Sequence, residues 1–370
     1  MSQSAASDEQ GIFAAHQISA LVAAGAIRPA TPLVPGQIQP ASLDLRLGRR
    51  AWRMRASFLP GGQRQVAEAI ERLALHEIDL RPGAVLETGC VYVAELEESL
   101  ALPEGVAAAA NPKSSTGRID VFTRVIADRA CAFDTVASGY HGPLFAEISP
   151  RTFPILARSG SRLSQVRFRR GLARLDEAEH AALHGREKLV STENPSFVGG
   201  VPISIDLSGF GSGGLIGYRA KRHTGLIDVD APNSCDPADY WEPVYSRGRA
   251  ELVLDPGEFY ILASKEEVRV PPDHAAEMTP FDAGVGEFRV HYAGFFDPGF
   301  GLSEPGGSGA RAVLEVRSHD VPFILEDGQA VGKLVYERMA QVPHELYGAD
   351  LGSNYQAQGL KLSKHFRTPR

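Results

Sequence analysis

NPKSSTGRIDVFTRVIADRACAFDTVASGYHGPLFAEISP, residues 111–150, is the stretch from which the rest of the chain can be read. It places Lys113, Ser114, Ser115 and Arg118 within six residues, then Asp134, then Glu147 in the apolar run PLFAEI. Two hydroxyls, backbone N–H groups and two cations in one turn suit a polyphosphate, whose oxygens need donors and whose charge needs compensation. The same residues also fit a plainer reading, in which the serines cap a solvated turn and Glu147 is a buried ion-pair partner of Arg118. The runs RVIAD and PLFAEI, bounded by turn residues, read as short strands.

Upstream, Ser42-Leu43-Asp44-Leu45-Arg46-Leu47 alternates with the period of a half-buried strand. HEIDLRPG, AVLETGCVYVAEL, GVAAAANP and SQVRF add further short strands, separated by Arg-Pro-Gly, Leu-Pro-Glu-Gly and Ser-Gly-Tyr-His-Gly turns. That pattern predicts a mainly β sandwich or barrel with few short helices. Helical spacing appears at 9–29, where Ile12, Ile18, Leu21, Val22 and Ile27 recur and an end near Gly25 is expected, and again at 63–76. Asp44 and Asp206 read as groups that fix turns or pair with the backbone.

The chain of 370 residues exceeds the size at which one core stops growing, so two domains are expected. A net charge of −7 argues against a duplex nucleic-acid binder but leaves room for a local cationic pocket. Cys90, Cys131 and Cys235 are odd in number and far apart, which suits a reducing cytoplasm and neither a disulfide framework nor a metal knuckle. MSQSAASDEQGIF lacks the order of a secretion signal, and no run is long enough for a membrane span.

The second half repeats the first. Pro40-Ala-Ser42-Leu-Asp44-Leu45 finds an echo in Pro202-Ile-Ser204-Ile-Asp206-Leu207, and Glu147, Pro154, Gly160 and Phe168 correspond to Glu315, Pro322, Gly328 and Tyr336 at one offset (315 − 147 = 168). Two long units at a constant spacing indicate a duplicated β-domain. The expected division is 1–170, a connector over 171–200 with a solvated charged face, and 201–370. The second copy keeps Asp297 and Glu315 but lacks the serine pair and the arginine, so the phosphate reading applies to the first half. Glu315 reads as structural.

These motifs resemble a family. QPASLDLRLG at 39–48, KSSTGR at 113–118, the turn from Asp134 to Gly142 and Glu147 resemble the dCTP deaminase branch of the dUTPase-like nucleotide enzymes. DPGFG at 297–301 and VLEV at 313–316 repeat the signature, and NYQAQGLKLSKHF resembles the tail that covers the nucleotide. The whole resembles a fused, two-domain bacterial dCTP deaminase.

The resemblance implies two distorted jelly-roll, barrel-like dUTPase-type domains, a trimer with sites between protomers, and hydrolytic deamination of dCTP to dUTP without zinc. Mg2+ is implied with the triphosphate. It assigns phosphate contacts to Lys113, Ser114, Ser115 and Arg129, a further nucleotide contact to Asp134, and lid contacts to Tyr347, Tyr355 and Gln358. Water activation falls to Glu147 with Ser114, Arg118 and the Ala127 backbone. Lys113 stands where the family usually has Arg, which keeps the charge but loses the bidentate fork. Asn354 stands where a tail Lys is common.

Replacing the cytosine amine by oxygen needs an activated water, a proton at N3 and departure of ammonia. One carboxylate with a pKa raised by burial can serve each step. The zinc signature H-x-E with P-C-x-x-C is absent from the sequence, and no G-x-S-x-G elbow surrounds Ser114 or Ser115. Two other readings stay open: a dUTP diphosphatase or bifunctional enzyme, with Asp134 orienting water at the α-phosphate, and a non-catalytic nucleotide-binding regulator.

Overall fold

The computed structural model describes residues 10–210, 213–246, 248, 250–280, 288–290, 294–302, 309–318, 320–348 and 359–368. Tyr355 and Gln358 lie outside the described residues. The alternation at 42–47 becomes the strand Ser42–Met54, in which Leu43, Leu45 and Leu47 are fully buried. It pairs antiparallel with Val91–Ala101 on one side and Arg162–Arg170 on the other. The sheet continues to Val106–Pro112 and Thr135–Val136 at one end, and to His141–Pro150 and Val121–Ala127 at the other. Asp134, at φ +59°, brings these ends together: its N–H donates to Val125 O and its own carbonyl accepts from Ala110 N. The sheet is thereby curled close to a barrel, as the turn-rich pattern predicts.

The second half repeats much of this plan, divided between a four-stranded and a five-stranded sheet. Val106–Pro112 recurs as His274–Pro280 and Arg162–Arg170 as Ala330–Arg338, both displaced by the same 168 residues (274 − 106 and 330 − 162). His141–Pro150, which carries Glu147, recurs as Ala310–Ser318, which carries Glu315.

The predicted first helix forms only over Ala15–Ala23, because Gly11–Ile12 and Ile27–Pro29 are drawn into strand pairs. The second forms over Val66–Leu73. The 171–200 segment carries the helix Glu177–Glu187, capped by Asp176 and Glu179 in a reciprocal box. Its Leu183, with Leu175, Leu189 and Val190, is buried in the core of the second half.

An apolar cluster spans the boundary between the halves. Phe153 and Ile155 of the first half pack with Trp241, Phe259 and Phe366 of the second, and the Phe153 and Trp241 rings meet edge-on at 5.4 Å. Residues Ile227–Asp228 also add a parallel strand to Ile155–Ala157. Aromatic residues bury enough area that this shared cluster fixes how the halves meet.

Candidate active site

The KSST sequence forms a single tight turn, Ser114–Gly117, in which Thr116 N and Gly117 N donate to Lys113 O and Arg118 N donates to Ser114 O. The N–H groups at the head of such a turn have no acceptor within it and point outward. Ser115, Thr116 and Arg118 are buried, and Lys113 and Ser114 are half-buried at the mouth. The turn is pressed against the second half of the chain.

Arg118 therefore faces Glu315, with 3.8 Å between Nε and Oε1, and the two side chains are only 3% and 6% exposed. Burial pushes the Glu315 carboxyl up to about 7, against the pull of the Arg118 charge. A buried glutamate that is half ionised near neutrality can both take and return a proton.

Asp297, near Lys113 and Asp44, has a carboxylate that accepts from Arg167 at 3.2 Å. Burial raises its pKa, and the charges of Arg167 and Lys113 oppose the rise. Lys113 pairs with Asp44, and Arg162 reaches the other oxygen of Asp44 at 3.3 Å. Asp44 is thus a charge partner and not the turn-fixing or backbone-pairing group expected. Lys364 joins these cations: burial, then the charges of Lys113 and Arg162, lower its pKa. Lys113, Arg162 and Lys364 thus cluster around the Asp44 carboxylate beside the serine turn, a concentration of cations that suits a polyphosphate.

The C-terminal residues close over the turn. Lys361 O accepts from Arg118 Nη1 at 3.0 Å, and Ser363 Oγ donates to Ser115 O at 2.8 Å. Tyr347 packs on the 297–301 turn, its N–H donating to Pro298 O and its ring 5.8 Å from that of Phe300.

Glu147 has a different environment. It sits opposite Arg124 in the sheet register and pairs with it through Nη2 and, at 3.2 Å, through Nε. The plainer reading that paired Glu147 with Arg118 is therefore corrected: the serine turn faces the second half, and Glu147 stays with its own strand neighbour. Glu147 Oε2 is buried without a hydrogen-bond partner among the described residues. Ala127 pairs with Leu144, three residues before Glu147 on the same strand. Arg129, at φ +61°, is exposed and its side chain makes no ion pair among the described residues.

The match of Asp134 to Asp297 is also displaced. Thr135 and Val136 pair with Ala109 and Ala108, whereas Phe295 and Phe296 pair with Glu277 and Ala276. Since Ala109 and Glu277 are equivalent, the residue equivalent to Asp297 is Ala137. Asp134 lies three residues earlier, its carboxylate accepting from Val125 N at 2.7 Å and its pKa raised by burial to about 7. Only the second half supplies an aspartate at this position.

Sequence reasoning missed Arg162, Arg167, Lys364 and the pairing of the serine turn with Glu315. The available signal was one-sided: the second half keeps Glu315 but not the serine pair and arginine, which only the first half supplies.

The 2'-deoxycytidine 5'-triphosphate deaminase N-terminal domain model matches residues 9–172, and the C-terminal domain model matches 176–366. The crystal structure of 2'-deoxycytidine 5'-triphosphate deaminase from Agrobacterium tumefaciens is similar at TM-score 0.88 and 61% identity, over 90% of this chain and 97% of that one. A dCTP deaminase of Natronomonas pharaonis is 29% identical over 121 residues, which are 32% of this chain and 59% of that protein. A dUMP-forming dCTP deaminase of Halobacterium salinarum is 32% identical over 145 residues, 38% of this chain and 69% of that protein. Two domain models in tandem, and a solved relative alike over nearly its whole length, show that the chain belongs to the dCTP deaminase family of enzymes.

Proposed function

We propose that the chain deaminates dCTP to dUTP and ammonia in the cleft between its halves, with Glu315 as the acid–base group. The observation that carries this is the buried Arg118–Glu315 pair, one partner from each half, with the carboxyl pushed up to about 7. Ionised Glu315 takes a proton from water as the oxygen attacks C4 of the cytosine. The same carboxyl then gives a proton to N3, and a second transfer lets the amine leave as ammonia. Arg118 and the Ser114 hydroxyl stabilise the charge that develops at the attacked centre.

Mg2+ enters as part of the nucleotide substrate. Lys113, Arg162 and Lys364, with the N–H groups of the serine turn, take up the remaining phosphate charge. Asp297 offers an acceptor to hydroxyl or amino donors of the nucleotide. Because the two halves of one chain already meet at this cleft, the trimer implied by the resemblance would assemble complete sites instead of creating them. Three free cysteines suit a reducing cytoplasm, and no helix among the described residues is long and apolar enough to cross a membrane.

The test is incubation with dCTP, dUTP or CTP and Mg2+, with nucleotide chromatography and an ammonia assay. The expected products from dCTP are dUTP and ammonia. Glu315→Gln should lower kcat by about a thousandfold, within the usual range for a lost acid–base group, and Glu147→Gln should change it by less than about threefold. The reverse pattern would overturn the assignment. The dUMP-forming relatives give the bifunctional reading a concrete signature, which is dUMP with pyrophosphate. Nucleotide binding without any product would mark a regulator.

A further inference from the structure

The described C-terminal segment is anchored well beyond what a cover for a nucleotide needs. Phe366 stands in the aromatic cluster with Phe153, Tyr240 and Trp241. His365 lies 3.0 Å through Nε2 from Val229 O and 2.9 Å through Nδ1 from Ser363 Oγ. A carbonyl only accepts, so Nε2 carries the ring proton, and burial keeps the ring neutral with a pKa lowered to about 4. Nδ1 is then an acceptor, and the single Ser363 hydroxyl proton serves both His365 and Ser115 O, 2.8 Å away. A continuous buried path runs from Val229 in the second half, through His365 and Ser363, to the serine turn of the first.

We propose that this segment is a positioning device for Arg118, in which Ser363 locks the tail to the serine turn so that the Lys361 carbonyl holds the guanidinium against Glu315. A neutral carbonyl suits the task. It accepts the Nη1 hydrogen at 3.0 Å and fixes the orientation of the guanidinium without cancelling its charge, whereas a carboxylate there would compete with Glu315. Moving the tail by a residue or two would deprive Arg118 of this acceptor and loosen its orientation toward the acid–base group. The tail then acts on the chemical step as well as on nucleotide retention.

The inference rests on the acid–base role of Glu315, and the experiment separates the two. Ser363→Ala is compared with wild type for kcat, KM and the pH dependence of kcat on Mg2+–dCTP. Loss of one buried hydrogen bond should lower kcat about tenfold, with KM changed less than about twofold. It should also move the acidic limb of the profile to higher pH, since a less constrained Arg118 no longer holds the Glu315 carboxyl down. In an Arg118→Lys background the same change should have no further effect on kcat, because the coupling runs through the guanidinium. A raised KM with an unmoved limb, or full additivity with Arg118→Lys, would overturn the positioning role and leave a cover only. An active Glu315→Gln variant would overturn the acid–base reading instead.

Discussion

A glutamate exposed to water titrates near 4.3, and sealing Glu315 under the serine turn moves it up to about 7. The activity consequence has a definite sign. The base form is needed for attack, so kcat/KM for dCTP should fall tenfold per unit on the acid side of about pH 7, measurable with a constant-ionic-strength buffer series. The stability consequence runs the other way. A carboxyl whose native pKa is raised contributes fully below its unfolded value and loses that contribution as pH rises through about 7. Glu315→Gln cannot titrate, so relative to wild type it should gain stability between pH 5 and pH 8, by up to about 3 kcal/mol, read from urea unfolding at both pH values. The serine turn and its cations were legible at this scale because they are contiguous. Their partner was not, because a carboxylate 197 positions from Arg118 (315 − 118) shares no local pattern with it.

At the scale of elements, alternation and turn residues reveal most strands of the first half, since a two-residue period is imposed by burial of one face. The short pieces Gly11–Ile12 and Ile27–Pro29 escape such reading because strand partners far along the chain, not propensity, decide them. The displaced aspartate has a similar cause: the first half takes a longer path from Pro112 to Thr135 (135 − 112 = 23) than the second from Pro280 to Phe295 (295 − 280 = 15), and the ladder register exposes the shift. The connector helix was visible by composition, but its attachment was not. Asp176 caps that helix through Glu179 N at 2.8 Å. Asp176→Ala should cost about 1 kcal/mol and lower the melting temperature by a few degrees, without changing kcat.

For the whole molecule, the duplication was evident from a constant offset, whereas the way the copies meet depends on side chains that no periodicity announces. Arg317 of the second half is buried against Asp120 and donates to Thr152 Oγ1 of the first at 2.9 Å. Together with the cluster around Trp241, this ties both halves into one cooperative unit. Scanning calorimetry should therefore record a single transition; two separated transitions would show that the halves unfold independently.

The serine turn of one half and the carboxylate of the other make the two copies dissimilar donors, and this bears on genetics. Where a site is built between separate chains, two differently damaged alleles expressed in the same cell can restore each other. Here a chain lacking Arg118 and a chain lacking Glu315 each keep an incomplete cleft, so mixing them should yield no rescue. Duplicated genes of this form would then have traded the insurance of repeated identical sites for parts that only their own chain can complete.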